Sequence, residues 1–165
     1  MFKRSLSAPS ETDLIFKQLS STDFLLGLQR FAQYLEDFGE KFDISPSFLH
    51  CYKTIIDIFI NSDNTEFLRI SSYCISLAME FIPKWPWDER FFHRIITIIE
   101  SFPSLDIYQN IINILFRLSC YENSFLRGFL GFKVLFRNFF LLRIMEQRKI
   151  VEIYSNLSTF SSFHD

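Results

Sequence analysis

Ser104–Leu142 reads SLDIYQNIINILFRLSCYENSFLRGFLGFKVLFRNFFLL. Ile107, Ile111, Ile114, Leu115 and Leu118 recur in it at helical spacing. Tyr108, Ile112 and Phe116 form a second apolar stripe, turned around the same axis. A helix apolar over so wide an arc is predicted to be mostly buried. One narrow polar stripe remains: Asp106, Asn110, Asn113 and Arg117. The polar turn Tyr121-Glu122-Asn123 follows, and then an apolar segment containing Gly128 and Gly131. A helix that shows a single polar stripe suits the inner row of a stack of helix pairs.

Outward from this stretch, the chain punctuates itself with helix starts. Ser10 precedes Glu11-Thr12-Asp13 and predicts a short capped helix over Glu11–Leu19. Ser21-Thr22-Asp23 opens a second, with apolar Phe24, Leu28, Phe31, Leu35, Phe38 and Phe42 on one seam. Its end collects Glu36, Asp37, Glu40 and Asp43, the unfavourable end of the macrodipole for acids, so a basic neighbour is expected there. Ser45-Pro46 starts a third helix, with Phe48, Leu49, Tyr52, Ile55, Ile56, Phe59 and Ile60 on its buried side. Asn61–Asn64 caps a fourth, Thr65–Ile82; Pro83 and Pro86 bound a loop; Asp88-Glu89 opens a fifth, which runs to Phe102. A helix over Ser124–Met145 and a terminal capping segment over Arg148–Phe160 complete the array. If that last segment fails to dock, a large apolar patch is left open.

The helix starts recur. The turns before Thr65 and before Leu105 lie about 40 residues apart, as do Pro46 and Pro86, a period that suits helical repeat arrays. An offset of that length sets Phe67 on Ile107, Ile75 on Leu115 and Ala78 on Leu118. It also sets Glu66 on Asp106 and Tyr73 on Asn113.

The run Leu115-Phe116-Arg117-Leu118, through Asn123 to Gly131-Phe132, resembles the armadillo repeat, whose inner helix ends in a Leu-x-Asn-Leu pattern before a polar turn and a Gly. The resemblance covers about one repeat. It implies an all-α, right-handed α-α superhelix of the armadillo/HEAT kind, with seven to eight helices, that grips a peptide or a partner helix along its inner row. Arg117 stands where the family's nuclear-signal receptors carry Asn, and Asn113 where they carry Trp. Their peptide-gripping ladder is therefore missing. The expected partner-binding residues are Glu66, Tyr73, Asp106, Asn110, Asn113 and Arg117.

Composition agrees with one helical domain, expected over residues 11–160 between tails at 1–10 and 161–165. Of 165 residues, 48% are hydrophobic and 22 are Phe, while Pro and Gly are scarce and fall near helix ends. Cys51, Cys74 and Cys120 are odd in number and widely spaced, which argues for buried thiols in a reducing compartment. No apolar run approaches the roughly 20 residues of a membrane span. The N-terminus lacks a signal-peptide core. The expected location is cytoplasmic or nuclear.

Charge is uneven. Net charge is −2, yet residues 127–149 hold six basic residues against Glu146 alone, a local +5 within a chain that is otherwise −7. A solvated face explains this; the alternative is a basic helical module that binds an anionic membrane surface or nucleic acid. Nucleic acid is disfavoured by the lack of an ordered aromatic–basic pattern. In the N-terminal tail, Arg4-Ser5-Leu6-Ser7-Ala8-Pro9 resembles the phosphoserine ligand of 14-3-3 adaptors, which makes Ser7 a phosphorylation candidate.

Chemistry was sought and not found. His50-Cys51 are helix neighbours pointing about 100° apart and form no dyad. No Cys/His spacing suits zinc, and no phosphate loop or nucleophile elbow occurs. The chain is expected to be non-enzymatic, with no cofactor, metal or small-molecule substrate. Trp85 and Trp87 flank Pro86 at a corner and are expected to lock consecutive helices or, if exposed, to act as a binding hot spot.

Overall fold

Local capping chemistry sets the helix starts. At the head of α1 (Glu11–Leu19), Ser10 Oγ accepts from Asp13 N–H, and the Asp13 carboxylate accepts back from Ser10 N–H. Hydrogen bonds from the Ser47 and Ser10 hydroxyls hold the Asp13 carboxyl below its usual range. Ser45 Oγ accepts from Phe48 N–H at the start of α3 (Pro46–Asn61), with Pro46 in the first turn. Asn64 Oδ1 takes the Glu66 and Phe67 N–H groups at the start of α4 (Thr65–Ala78). Asp88 Oδ1 takes Phe91 N–H beside α5 (Glu89–Ser101). Ser104 Oγ takes Ile107 N–H beneath α6 (Leu105–Ser119). The remaining elements are α2 (Phe24–Phe38), a 3-10 helix over Phe136–Leu141, and α7 (Ile144–Ser162).

The computed structural model describes residues 10–38, 44–82, 84–101, 104–120 and 135–162. Among them the chain is all-α, with no strand. The helices lie in two rows. Helices α2, α4, α6 and α7 sit side by side in one, and α1, α3 and α5 in the other. The pairs α1/α2, α3/α4 and α5/α6 join the rows. One continuous core runs between them from Ile15 and Leu19 through Phe48, Phe59 and Ile75 to Leu115, Ile150 and Ile153. Gly27 lets α1 and α2 close up: a Cβ there would meet Leu19 side-chain and backbone atoms at 3.0 Å.

Two long-range devices tie the second row. Arg94 of α5 reaches back to the end of α3, where Nε donates to Phe59 O at 3.1 Å and Nη2 to Ser62 O. These carbonyls are among those a helix end leaves unpaired, and a cation suits that end of the macrodipole. Trp85 packs edge-on against Tyr52 with centroids 4.8 Å apart, and Trp87 stacks on Phe91 at 4.1 Å. Both are partly buried against the core, so the corner locks α3 to α5.

Several expectations need correction. Helix α4 ends at Ala78, and the chain turns before Ile82. Leu49, expected on the buried side of α3, is exposed; Phe24, on the seam of α2, is exposed too, while Leu28, Phe31 and Leu35 are buried. Cys51 and Cys74 are buried, but Cys120 is an exposed C-cap residue. Of the acids ending α2, the two described ones bond to neutral groups: Glu36 accepts from the Tyr73 hydroxyl, and Asp37 from Gln33 of its own helix. The C-terminal segment breaks at Leu142-Arg143, so the capping helix begins at Ile144. It docks on α6, yet Phe140, Leu141 and Ile144 are exposed. Ser7, Glu40, Phe42, Asp43, Arg127, Lys133, His164 and the turn at Asn123 lie outside the described residues.

Candidate functional site

The polar face of the α2–α4–α6–α7 row holds the residues singled out by the sequence, and most of them bond sideways to the next helix. Tyr73 O–H donates to Glu36 Oε1 at 2.6 Å, joining α4 to α2. Arg117 Nη2 pairs with Glu80 Oε1 at 2.9 Å, joining α6 to the segment after α4. Gln109 Nε2 donates to Glu146 Oε1 at 2.6 Å, and Asn156 Nδ2 to Ser119 Oγ at 3.1 Å, joining α7 to α6. Each of these four pairs is 37 residues apart. The N-caps Asn64 and Ser104 are 40 apart, so the lateral bonds fall about one helical turn short of that spacing. Tyr73 therefore stands level with Glu36 and the neighbourhood of Asn110 rather than with Asn113.

A groove of about 820 Å³ opens on this face between α4, α6 and the head of α7. Tyr73, Asn110 and Asn113 line it, three of the six expected residues. Arg143, Glu146 and Lys149 complete its polar wall, and Met145 its apolar lip. Asn110 is only 9% exposed, and its amide donates to Arg69 O and Ser72 Oγ. Its first role is thus to hold α6 on α4. Asn113 is more open, and its Oδ1 accepts from Lys149 Nζ. Glu66 and Asp106 lie apart from the groove at exposed helix starts. Glu66 is occupied by Arg69 at 2.5 Å, and the charge of Asp106 also bears on that guanidinium. Arg117 sits further along the face. Ser7 cannot be placed relative to any of these, being outside the described residues.

The titratable groups on this face are held in fixed protonation states by their neighbours. The hydrogen bond to Glu36, aided by burial and the Glu36 charge, pushes the Tyr73 hydroxyl up to about 12, so it remains a proton donor at neutral pH. Burial raises the Glu146 carboxyl, but the bonds from Gln109, its own backbone N–H and Arg143 outweigh burial and leave it below its usual range. It is a buried anion, paired on both sides. Glu146 and Lys149 were visible in the sequence only as charges in a basic run. Recognising them as groove residues requires the 37-residue lateral register, which no local pattern announces.

Elsewhere the reactive side chains are not assembled. His50 is exposed and sits edge-on to Phe16, while Cys51 is buried with its Sγ donating to Thr12 O. Burial, with the nearby Asp13 charge, pushes the Cys51 thiol up to about 12. Base and thiol thus face different surroundings. Among the described residues no three His, Cys, Asp or Glu side chains converge on a metal position. Nor is any described helix long and apolar enough to cross a membrane. No family model matches the chain, and neither a curated protein nor a solved structure matches it.

Proposed function

We propose that the chain is a non-enzymatic interaction scaffold, an armadillo/HEAT-like α-α superhelix that holds an extended peptide or a partner helix along α4, α6 and α7. The observation that carries this reading is the convergence of Tyr73, Asn110 and Asn113 on one groove of mixed character, with Lys149 on its polar wall and Leu142, Ile144 and Met145 on its apolar one. Amide side chains there can bond the backbone of an extended segment, and Lys149 and Arg143 favour an acidic one. The superhelical part rests on two further supports. Helices two apart in sequence touch within each row, and the N-caps of α4 and α6 are 40 residues apart. The scaffold acts in the cytoplasm or nucleus, and phosphorylated Ser7 offers a 14-3-3 adaptor a second handle.

Co-purification from native cells tests it, with wild type, Ser7→Ala and the pair Asn113→Ala/Arg117→Glu as baits and mass spectrometry as readout. The pair is expected to lose a partner that the other two retain, while circular dichroism shows the helical fold intact. A partner lost only with Ser7→Ala would make the tail the functional element. Identical partners from all three baits would sink both placements.

A further inference from the structure

Helices that close a stack normally turn a polar side to solvent. The outward side of α7 is mixed: Arg148, Glu152, Ser155 and Ser158 are exposed on it, but so are large apolar side chains in its first turns. Ile144, Met145 and Val151 are 67%, 72% and 56% exposed, and Phe140 and Leu141 of the preceding 3-10 helix are 89% and 72% exposed. No other large apolar side chain among the described residues exceeds the 48% of Ile44. Leu141 and Met145 are chain neighbours of Phe140 and Ile144. Ile144 and Val151 are two turns apart on α7 and flank a shallow hollow with Phe139 and Arg148; Phe139 meets Phe140 edge-on at 5.4 Å.

The charges around this patch have one dominant sign. Arg137, Arg143 and Arg148 are exposed, against Glu152 as the exposed acid of the segment. Glu146, the other acid, is turned inward and 7% exposed. The rest of the chain is acidic, so this edge stands out electrostatically as well as by its apolar surface.

Shape decides which anionic partner fits. Nucleic acid is held mainly by cations on phosphates, and the few apolar wedges or stacked rings it can take up would leave most of Leu141, Ile144, Met145 and Val151 uncovered. A folded protein partner is gripped where anchors and pockets interlock. Ile144, Met145 and Val151 rim shallow concave surface, but Phe140 and Leu141, the first of them 89% exposed, line neither the groove nor the hollow. A bilayer accepts protruding apolar side chains without matching their shape, while flanking Arg side chains stay at the headgroups.

We propose that the Phe140–Val151 edge docks the chain on an anionic membrane surface. Phe140, Leu141, Ile144, Met145 and Val151 enter the boundary between headgroups and acyl chains, and Arg137 and Arg148 pair with acidic headgroups. The groove shares Arg143, Ile144 and Met145 with this edge, while Tyr73, Asn110 and Asn113 line it from α4 and α6.

The test is flotation of the full chain with phosphatidylcholine vesicles and with mixed phosphatidylcholine–phosphatidylserine vesicles. Binding to the mixed vesicles alone, weakened by salt, is expected. Arg137→Gln with Arg148→Gln should weaken it about thirtyfold, taking about 1 kcal/mol per surface cation. The triple change Ile144→Ser, Met145→Ser, Val151→Ser should abolish it, with the circular dichroism spectrum unchanged. Glu152→Lys should tighten binding about fivefold or more, a gain that misfolding cannot imitate. Absence of wild-type binding, or equal binding to neutral vesicles, overturns the proposal. So does binding that survives the apolar triple change and is matched by RNA, which would mark a polyanion site. A wild-type dimer in sedimentation equilibrium that the triple change dissociates would assign the patch to a second copy and equally overturn it.

Discussion

Tyr52 and Asn110 are both buried polar side chains, and their substitutions are expected to act in opposite directions. Tyr52 is fully buried between the rings of Phe48 and Trp85, and its hydroxyl has no hydrogen-bond partner among the described residues. An orphaned buried hydroxyl costs about 1–3 kcal/mol of desolvation. Tyr52→Phe keeps the ring contacts and removes that cost. Its thermal midpoint should rise by about 2–4 °C per kcal/mol recovered, read by differential scanning calorimetry. Asn110 is the converse. Its amide is bonded to Arg69 O and Ser72 Oγ across the α4–α6 seam. Asn110→Ala strips both partners and should cost about 1–3 kcal/mol, lowering the midpoint. An unchanged midpoint for Asn110→Ala would mean that the seam does not depend on this amide. The same geometry explains why Asn113, not Asn110, is the residue to substitute when binding is the question. In the sequence the two look alike, as members of one polar stripe. Which of them turns inward depends on the neighbouring helix, and a neighbour is not written in local spacing.

At the scale of elements, caps were legible and lateral neighbours were not. Ser10, Ser45-Pro46, Asn64 and Ser104 act within three residues of themselves, so their roles follow from sequence alone. The break before Ile144 and the exposure of Phe140 depend on where surface runs out, and apolar content carries no record of that. The docking of α7 illustrates the difference and predicts a pH response. Glu146 accepts from Gln109 of α6 at 2.6 Å and pairs with Arg143 at 3.1 Å. Its folded pKa is lowered from the ordinary 4.5. The carboxylate therefore contributes stability that is fully present above about pH 4.5 and is lost as pH falls through the lower folded value. Glu146→Gln removes that charge at every pH. Wild type should melt above the variant at neutral pH, and the gap should close as pH falls from the ordinary 4.5 through the lowered folded value. A gap that stays constant across this range would show that Glu146 holds α7 by shape and neutral hydrogen bonds alone.

For the whole molecule, the two-row arrangement dictates how stability is distributed. Helix α1 packs on α2 and α3, and α7 packs on α6. The ends share one apolar core only through the helices between them. In an array stabilised by nearest-neighbour contacts, damage at one end is felt locally. Ile15 of α1 and Ile153 of α7 are both fully buried. Truncating either to Ala removes comparable apolar volume and should cost about 2–5 kcal/mol. Sites that share no partner should combine additively, within about 0.5 kcal/mol. The measurement is urea unfolding of the two single variants and the double, followed by circular dichroism. Additivity with a lowered m-value in the singles would mean that the damaged end unfolds before the rest, as a stack of neighbours allows. A coupling well above 1 kcal/mol, with a single unchanged transition, would instead mean that α1 and α7 belong to one closed cooperative core. That outcome would also remove the main structural support for reading the chain as an open superhelix, because an open array has no means of making its two ends feel each other so strongly.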